Sequence, residues 1–248
     1  MDGTLRIIMD GARDGAANMA RDAALLEEHR PGDQPVLRLY RWRPFAVSYG
    51  YHQSPDDFDA AAIAAAGFGL VRRPTGGRAI LHAEELTYAV VGTSPSPLFG
   101  DTLHGTYMRI NEALLGFLAD LGLPADVSGG ESRADARGLA CFKSAGRHEI
   151  NVRGRKLVGS AQRRRGDVFL QHGSILAGPA HLDLPRFLRP RPGAAVPDRA
   201  QLALVTTDLG QLLGAPLDDD GQERLLPRLA DAFCRAWGLA PAAAPPAD

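Results

Sequence analysis

The residues best suited to chemistry lie in one stretch, CFKSAGRHEINVRGRKLVGSAQ, residues 141–162. It holds Cys141 and both lysines of the chain, Lys143 and Lys156; the other 26 of its 28 basic residues are arginine. Either residue type keeps a surface soluble. A lysine ammonium, however, is a compact point charge that gives up a proton near neutral pH when desolvated, and a guanidinium does not. Cys141 sits in a polar, cationic, loop-like context, RADARGLACFKSAGRHE. Such surroundings lower a thiol pKa and expose a nucleophile, whereas a free cysteine is more often a small buried hydrophobe. Cys234, beside the helical apolar face of LADAFCRAWG, reads as core.

A second candidate is RRPTGGRAILH, residues 72–82. Paired glycines make a tight turn, or they let backbone N–H groups approach a ligand closely. Arg72, Arg73 and Arg78 around Thr75, Gly76 and Gly77 favour an anionic ligand. His82 and His172 each border an apolar run, where a satisfied structural histidine is the commoner outcome than a base. The triplet Arg163, Arg164 and Arg165 reads as a solvated turn or as a dock for an acidic partner.

Three further patterns each lack a required residue. GRKLVGSAQ has Gly154 and Gly159 at phosphate-loop spacing, but Ser160 stands where that loop needs lysine. GFGLVR lacks the third glycine of a dinucleotide fingerprint. HEINV has Val152 in place of the second histidine of a zinc hydrolase.

These residues need a scaffold. TLRIIMD, VLRLYRW, FAVSYGY and LTYAVV read as strands, with VLRLYRW and FAVSYGY as neighbours about Pro44. Residues 14–29 form a helix with Met19, Ala23 and Leu26 on one face, and residues 54–67 a helix opened by Asp56 and Asp57 and closed at Gly67. A third helix runs over 102–123, with Ile110, Leu114, Phe117, Leu118 and Leu121 at helical spacing and Gly122 ending it. From residue 148 HEINV, RKLVGSAQ and VFLQHGSIL form a meander, with RG and RRRGD as its turns. A Pro- and Arg-rich wrapping segment follows Gly178. Two helices come next, one starting near Asp208 with Gln211 in the capping-box position, one with Leu229, Phe233 and Trp237 on a face. The expected fold is α+β (mixed α/β): one domain over 1–240, its core at 5–178 and wrapping helices at 179–240, then a disordered tail at 241–248.

Composition sets the outer limits. With 45% hydrophobic and 23% charged residues the chain is an ordinary globular protein, and its formal net charge of -1 argues against a general nucleic-acid binder. Two cysteines are too few for a secreted disulfide framework. No apolar signal core or membrane-length run is present, so a cytoplasmic location without membrane partners is expected.

Five blocks in order, NMARDAALL, RWRPFAVSYGYHQ, RRPTGGRAILHAEELTYAVV, ACF and EINVRGRKLVGSAQRRRGDVFLQHGSIL, resemble the lipoate/octanoate branch of the biotin/lipoate A/B protein ligase superfamily. The resemblance covers residues 5–178. It implies a mixed sheet flanked by helices, related to class II aminoacyl-tRNA synthetase and biotin ligase cores. Ligases of the family usually carry a third glycine where Arg78 stands, and they need no cysteine before the lysine hairpin. Cys141 and the TGGRAILHAEELTY block resemble its cysteine-dependent octanoyltransferases.

The resemblance therefore implies octanoyl transfer from octanoyl-acyl carrier protein to a lysine of lipoyl domains, such as glycine cleavage H protein or 2-oxoacid dehydrogenase E2 subunits. Cys141 would carry the acyl group as a thioester, and Lys156 would assist it. Arg73, Thr75, Gly76, Gly77, Arg78, His82, Gly159, Ser160, Ala161 and His172 would bind substrate. No metal or cofactor is implied; ATP and Mg would enter only in an ATP-dependent lipoate ligase. Two further alternatives are an amidotransferase acting between lipoyl domains, whose glycine-loop pattern looks less like this one, and a non-catalytic paralogue that binds lipoyl domains, against which the intact glycine loop and lysine hairpin argue.

Overall fold

The computed structural model describes residues 3–129, 148–189 and 196–243. Strand β1 (Thr4–Arg13) leads into helix α1 (Gly15–Glu28), which starts where Asp14 accepts a hydrogen bond from the Ala17 N–H at 2.7 Å. Strands β2 (Val36–Trp42), β3 (Ala46–Tyr49), β4 (Gly69–Arg72), β5 (Ile80–His82) and β6 (Glu85–Thr93) follow, with the short helix α2 (Ala60–Ala65) between β3 and β4. Helix α3 (Leu103–Asp120) is capped by Thr102. Strands β7 (Asp126–Val127), β8 (Ile150–Val152), β9 (Arg155–Arg165) and β10 (Val168–Leu176) complete the sheet region. A 3-10 segment (Pro179–Phe187), helices α4 (Arg199–Val205), α5 (Leu209–Leu213) and α6 (Asp219–Trp237), and strand β11 (Ala240–Pro241) close the chain.

The main sheet has eight strands in the order β11-β1-β2-β6-β10-β9-β8-β7, mixed because β1 runs parallel to β2 and β11 while the remaining neighbours are antiparallel. One face packs α3 and α6 through Leu114, Phe117, Leu229, Phe233 and Trp237. The other carries α1, through Met19, Leu25 and Leu26 against Tyr40 and Trp42. A separate three-stranded sheet, β4-β3-β5, packs with α2 and the 3-10 segment around Phe58, Ile63 and Phe187. The fold is the expected mixed α+β arrangement.

Several expectations need correction. VLRLYRW and FAVSYGY are not neighbours: β2 belongs to the large sheet and β3 to the small one, so the chain crosses between layers at Pro44. The helix expected over 54–67 divides, because Ser54 caps a 3-10 turn at Pro55–Asp57 and Asp59 caps α2 afresh. The arginine triplet is strand rather than turn; it pairs with Val168, Phe169 and Leu170, and Gly166 at φ 59° makes the turn. Helix α4, with Asp198 and Gln201 as a reciprocal capping box, joins the two helices expected near the C-terminus. Ala240 and Pro241 pair with β1. None of the described helices is long and apolar enough to cross a membrane.

Candidate active site

A cavity of about 40 Å³ lies between the two sheets. Tyr40 and Trp42 of β2, Gly159, Ser160 and Ala161 of β9, and His172, Gly173 and Ser174 of β10 supply the large-sheet side. Arg73, Gly77, Ile80 and His82 close it from the small sheet. The wall is mostly apolar, with a few polar groups directed by hydrogen bonds, the usual make-up of a site for a small organic group.

Two buried acid–histidine–hydroxyl chains meet there. In the first, His172 Nδ1 lies 2.8 Å from Asp22 Oδ2 and its Nε2 2.7 Å from Thr75 Oγ1. Burial pushes the His172 pKa below its ordinary value, against the opposing pull of Asp22. A neutral ring beside a carboxylate carries its proton on Nδ1, so Nε2 accepts from the Thr75 hydroxyl. Asp22 also accepts from Arg38 Nη1 at 2.7 Å and the Tyr40 hydroxyl at 2.8 Å. Burial, with Asp22 adding to it, raises the Tyr40 pKa well above normal, keeping it a phenol that donates. In the second chain, His82 Nδ1 lies 2.8 Å from Glu85 Oε1 and Nε2 2.7 Å from Ser48 Oγ, while the ring stacks 3.9 Å from that of Trp42. Glu85 further accepts from Thr87 and Ser174 hydroxyls at 2.6 and 2.8 Å.

The glycine loop is held from inside by Arg73, which is buried. Its guanidinium donates to the carbonyls of Gly76 and Arg78, each at 2.7 Å from Nη2, and to Ser48 Oγ at 3.2 Å. Gly77 has φ 89°, and a Cβ there would stand 2.8 Å from Arg73 Nη2. Gly50 is equally constrained, since its Cβ would fall 2.0 Å from the Gly77 carbonyl oxygen. Arg73 therefore shapes the loop, and Arg78 contributes a backbone carbonyl to that clamp.

Lys156 lies on β9, 4% exposed, in an ion pair with Glu149. Its stem passes Gly159: a Cβ on that glycine would be 3.0 Å from Lys156 Cε and 3.2 Å from Nζ. Gly159 is thus the opening through which a buried ammonium adjoins the cavity. Among the described residues Glu149 Oε2 has no hydrogen-bond partner, so the carboxylate retains capacity to accept. Ser160 Oγ is paired with the Tyr88 hydroxyl at 2.7 Å, so that hydroxyl is already engaged within the fold.

Cys141 lies outside the described residues. The other expected site residues gather here: Arg73, Gly77, His82, Gly159, Ser160, Ala161 and His172 line the cavity, and Thr75, Gly76, Arg78 and Lys156 adjoin it. Asp22, Arg38, Trp42, Ser48, Glu85 and Glu149 escaped the sequence reading because each is recognisable only through its partner. Cys234 is a buried free thiol whose pKa burial raises, the reverse of an activated nucleophile.

The lipoyl protein ligase A/B catalytic domain family matches residues 14–229. The chain belongs to this family. Octanoyltransferase LipM of Symbiobacterium thermophilum is 42% identical over 96% of this chain and 88% of its own length. Octanoyltransferase LipM of Kyrpidia tusciae is 40% identical over 95% and 88%. Within the lipoyl ligase A/B family these relatives place the chain among the acyltransferases of the octanoyltransferase branch. Its fold matches that of lipoate-protein ligase A bound with ATP (TM-score 0.75, 23% identity, covering 98% of this chain and 88% of that one). A bi-partite lipoate protein ligase from Thermoplasma acidophilum, studied with its E2 lipoyl domain, gives TM-score 0.72 at 22% identity over 98% and 86%.

Proposed function

We propose that the protein moves an octanoyl group from octanoyl-acyl carrier protein to a lysine of a lipoyl domain, through a thioester on Cys141 and without ATP. The observation that carries this reading is the buried Lys156–Glu149 pair beside Gly159, at the edge of a mostly apolar cavity. A fixed ammonium there suits chemistry in which negative charge develops on a carbonyl oxygen.

The Cys141 thiolate attacks the donor thioester carbonyl; the new C–S bond forms, the carrier C–S bond breaks, and the carrier leaves as a thiol after taking up a proton. One thioester replaces another, so no activation by a nucleotide is required. The acceptor amine then attacks the Cys141 thioester, forming the amide and releasing the thiolate. Lys156 stabilises the thiolate and the tetrahedral oxyanion. Glu149, adjoining Lys156 and with an acceptor position open among the described residues, takes the proton that the attacking amine loses. Arg73 and Gly77 fix the loop against which the acyl carbonyl rests.

The test combines octanoyl-acyl carrier protein with an apo-lipoyl domain, without ATP, and reads the acceptor by intact mass. Octanoylation of the acceptor is the expected result. Transfer only from free octanoate or lipoate with ATP, with AMP release, would instead make the protein a ligase. Transfer only from an octanoylated lipoyl domain would make it an amidotransferase.

A further inference from the structure

Tyr51 carries two guanidinium groups at the outer rim of the glycine loop. Arg72 Cζ lies 4.2 Å and Arg163 Cζ 4.9 Å from the ring centroid, and the tyrosine is 41% exposed. Both arginines are exposed. Each is anchored by a neutral backbone carbonyl: Arg72 donates to Tyr51 O through Nε (3.2 Å) and Nη2, and Arg163 Nη1 donates to Pro74 O at 3.1 Å. These anchors hold the groups in place without neutralising them, and neither arginine meets a carboxylate among the described residues. Their neighbours on the triplet behave otherwise. Arg164 turns inward to Ser94 and Thr106, and Arg165 joins the end of α1 through the Leu26 and Glu27 carbonyls and the Glu27 carboxylate.

Two like charges fixed against one ring repel each other, and an exposed carbonyl could be satisfied by water. Each guanidinium gains from the ring face, but the two positive charges stay uncompensated among the described residues, and an anionic partner would compensate them. Its position links it to the site: Tyr51 N donates to Thr75 O at 2.9 Å, and the Thr75 side chain meets His172 on the cavity wall.

We propose that Arg72, Tyr51 and Arg163 form a docking patch for the carboxylate-bearing surface of the protein that presents the acceptor lysine; this rests on the function proposed above. The acceptor is favoured over the donor by reach. A lysine side chain is a four-carbon stem, so the surface around it must seat on the rim when its amine enters the site. Two separate guanidinium groups match two carboxylates on such a surface, and a pre-positioned pair of rim charges acts mainly on encounter and register.

The experiment compares wild type with Arg72→Gln/Arg163→Gln and Arg72→Lys/Arg163→Lys, folding being checked by thermal melting, with Arg186→Ala, an exposed arginine that does not touch Tyr51, as the control. Steady-state transfer to an apo-lipoyl domain is followed across NaCl concentrations. The Gln pair should raise the acceptor KM on the order of 10-fold, about 1.4 kcal/mol for two rim charges, and flatten its salt dependence. The kcat and the donor KM should not change, and the Lys pair should stay within about 2-fold of wild type. A wild type that transfers octanoyl while the Gln pair keeps a wild-type acceptor KM overturns the patch alone. So does a rise confined to the donor KM, or a Lys pair as impaired as the Gln pair. A wild type without transfer overturns the proposed function and the patch with it.

Discussion

Thr75 Oγ1 and His172 Nε2 lie 2.7 Å apart although 97 positions separate them in the chain. This contact ties the glycine loop of the small-sheet side to β10 of the large sheet, and Asp22 fixes the far side of the ring at 2.8 Å. Replacing Thr75 by valine keeps the shape, removes the donor and leaves a buried ring nitrogen unsatisfied, at about 1–3 kcal/mol. Urea unfolding of Thr75→Val should show that loss, accompanied by reduced transfer, and Thr75→Ser should restore both. A valine variant with unaltered stability and rate would show that the contact does not hold the loop.

The histidines also set an acid limit. Burial depresses the pKa of His172 and His181 below the ordinary 6.5. Between 6.5 and the depressed folded values, the unfolded chain binds protons that the folded chain does not. Stability is therefore fully present above pH 6.5 and falls as pH is lowered through it, by about 1.4 kcal/mol per pH unit for each histidine. Denaturant unfolding at pH 7, 6 and 5.5 should record the decline, and His172→Gln should make it shallower. Equal slopes for wild type and variant would remove His172 from this account.

Lys156 and Glu149 separate structure from chemistry. Lys156→Arg keeps the charge but places a broader planar group beside Gly159, where even a Cβ would come within 3.2 Å of Nζ. Transfer should fall on the order of 10²-fold or more if the ammonium stabilises the transition state. Glu149→Gln leaves a buried ammonium without its counter-charge and should cost about 3–5 kcal/mol of stability. The apolar pair Lys156→Met/Glu149→Leu should recover stability without recovering transfer. Single-turnover kinetics beside thermal melts reads all three, and near-wild-type transfer by Lys156→Arg would reduce the lysine to a charge.

Much of this was legible in the sequence where a residue's role depends on its own segment. The α3 face at Ile110, Leu114, Phe117 and Leu118 is buried as its spacing predicts. The glycine loop and the lysine hairpin could be found as local patterns. What depends on a distant partner was not legible. Every residue of β2 is buried, including Arg38, which a period-two reading sends to solvent. Arg38 stays inside because α1 offers Asp22 and the Asn18 side chain, each at 2.7 Å. The same spacing of α1 that exposed Met19 and Leu26 as core concealed Asp22, since a polar residue on an apolar helix face gives no local sign of its counter-charge. Glu149 is hidden similarly, in a segment that otherwise reads as the start of a hairpin.

A covalent octanoyl intermediate on Cys141 is detected by intact mass after incubation with octanoyl-acyl carrier protein alone, without acceptor or ATP. Wild type should gain one octanoyl group, Cys234→Ser should gain the same, and Cys141→Ser should gain none. Addition of an apo-lipoyl domain should then discharge the adduct onto the acceptor. Acylation of Cys141→Ser equal to that of wild type, or an adduct that Cys234→Ser abolishes, would mean that Cys141 does not carry the acyl group.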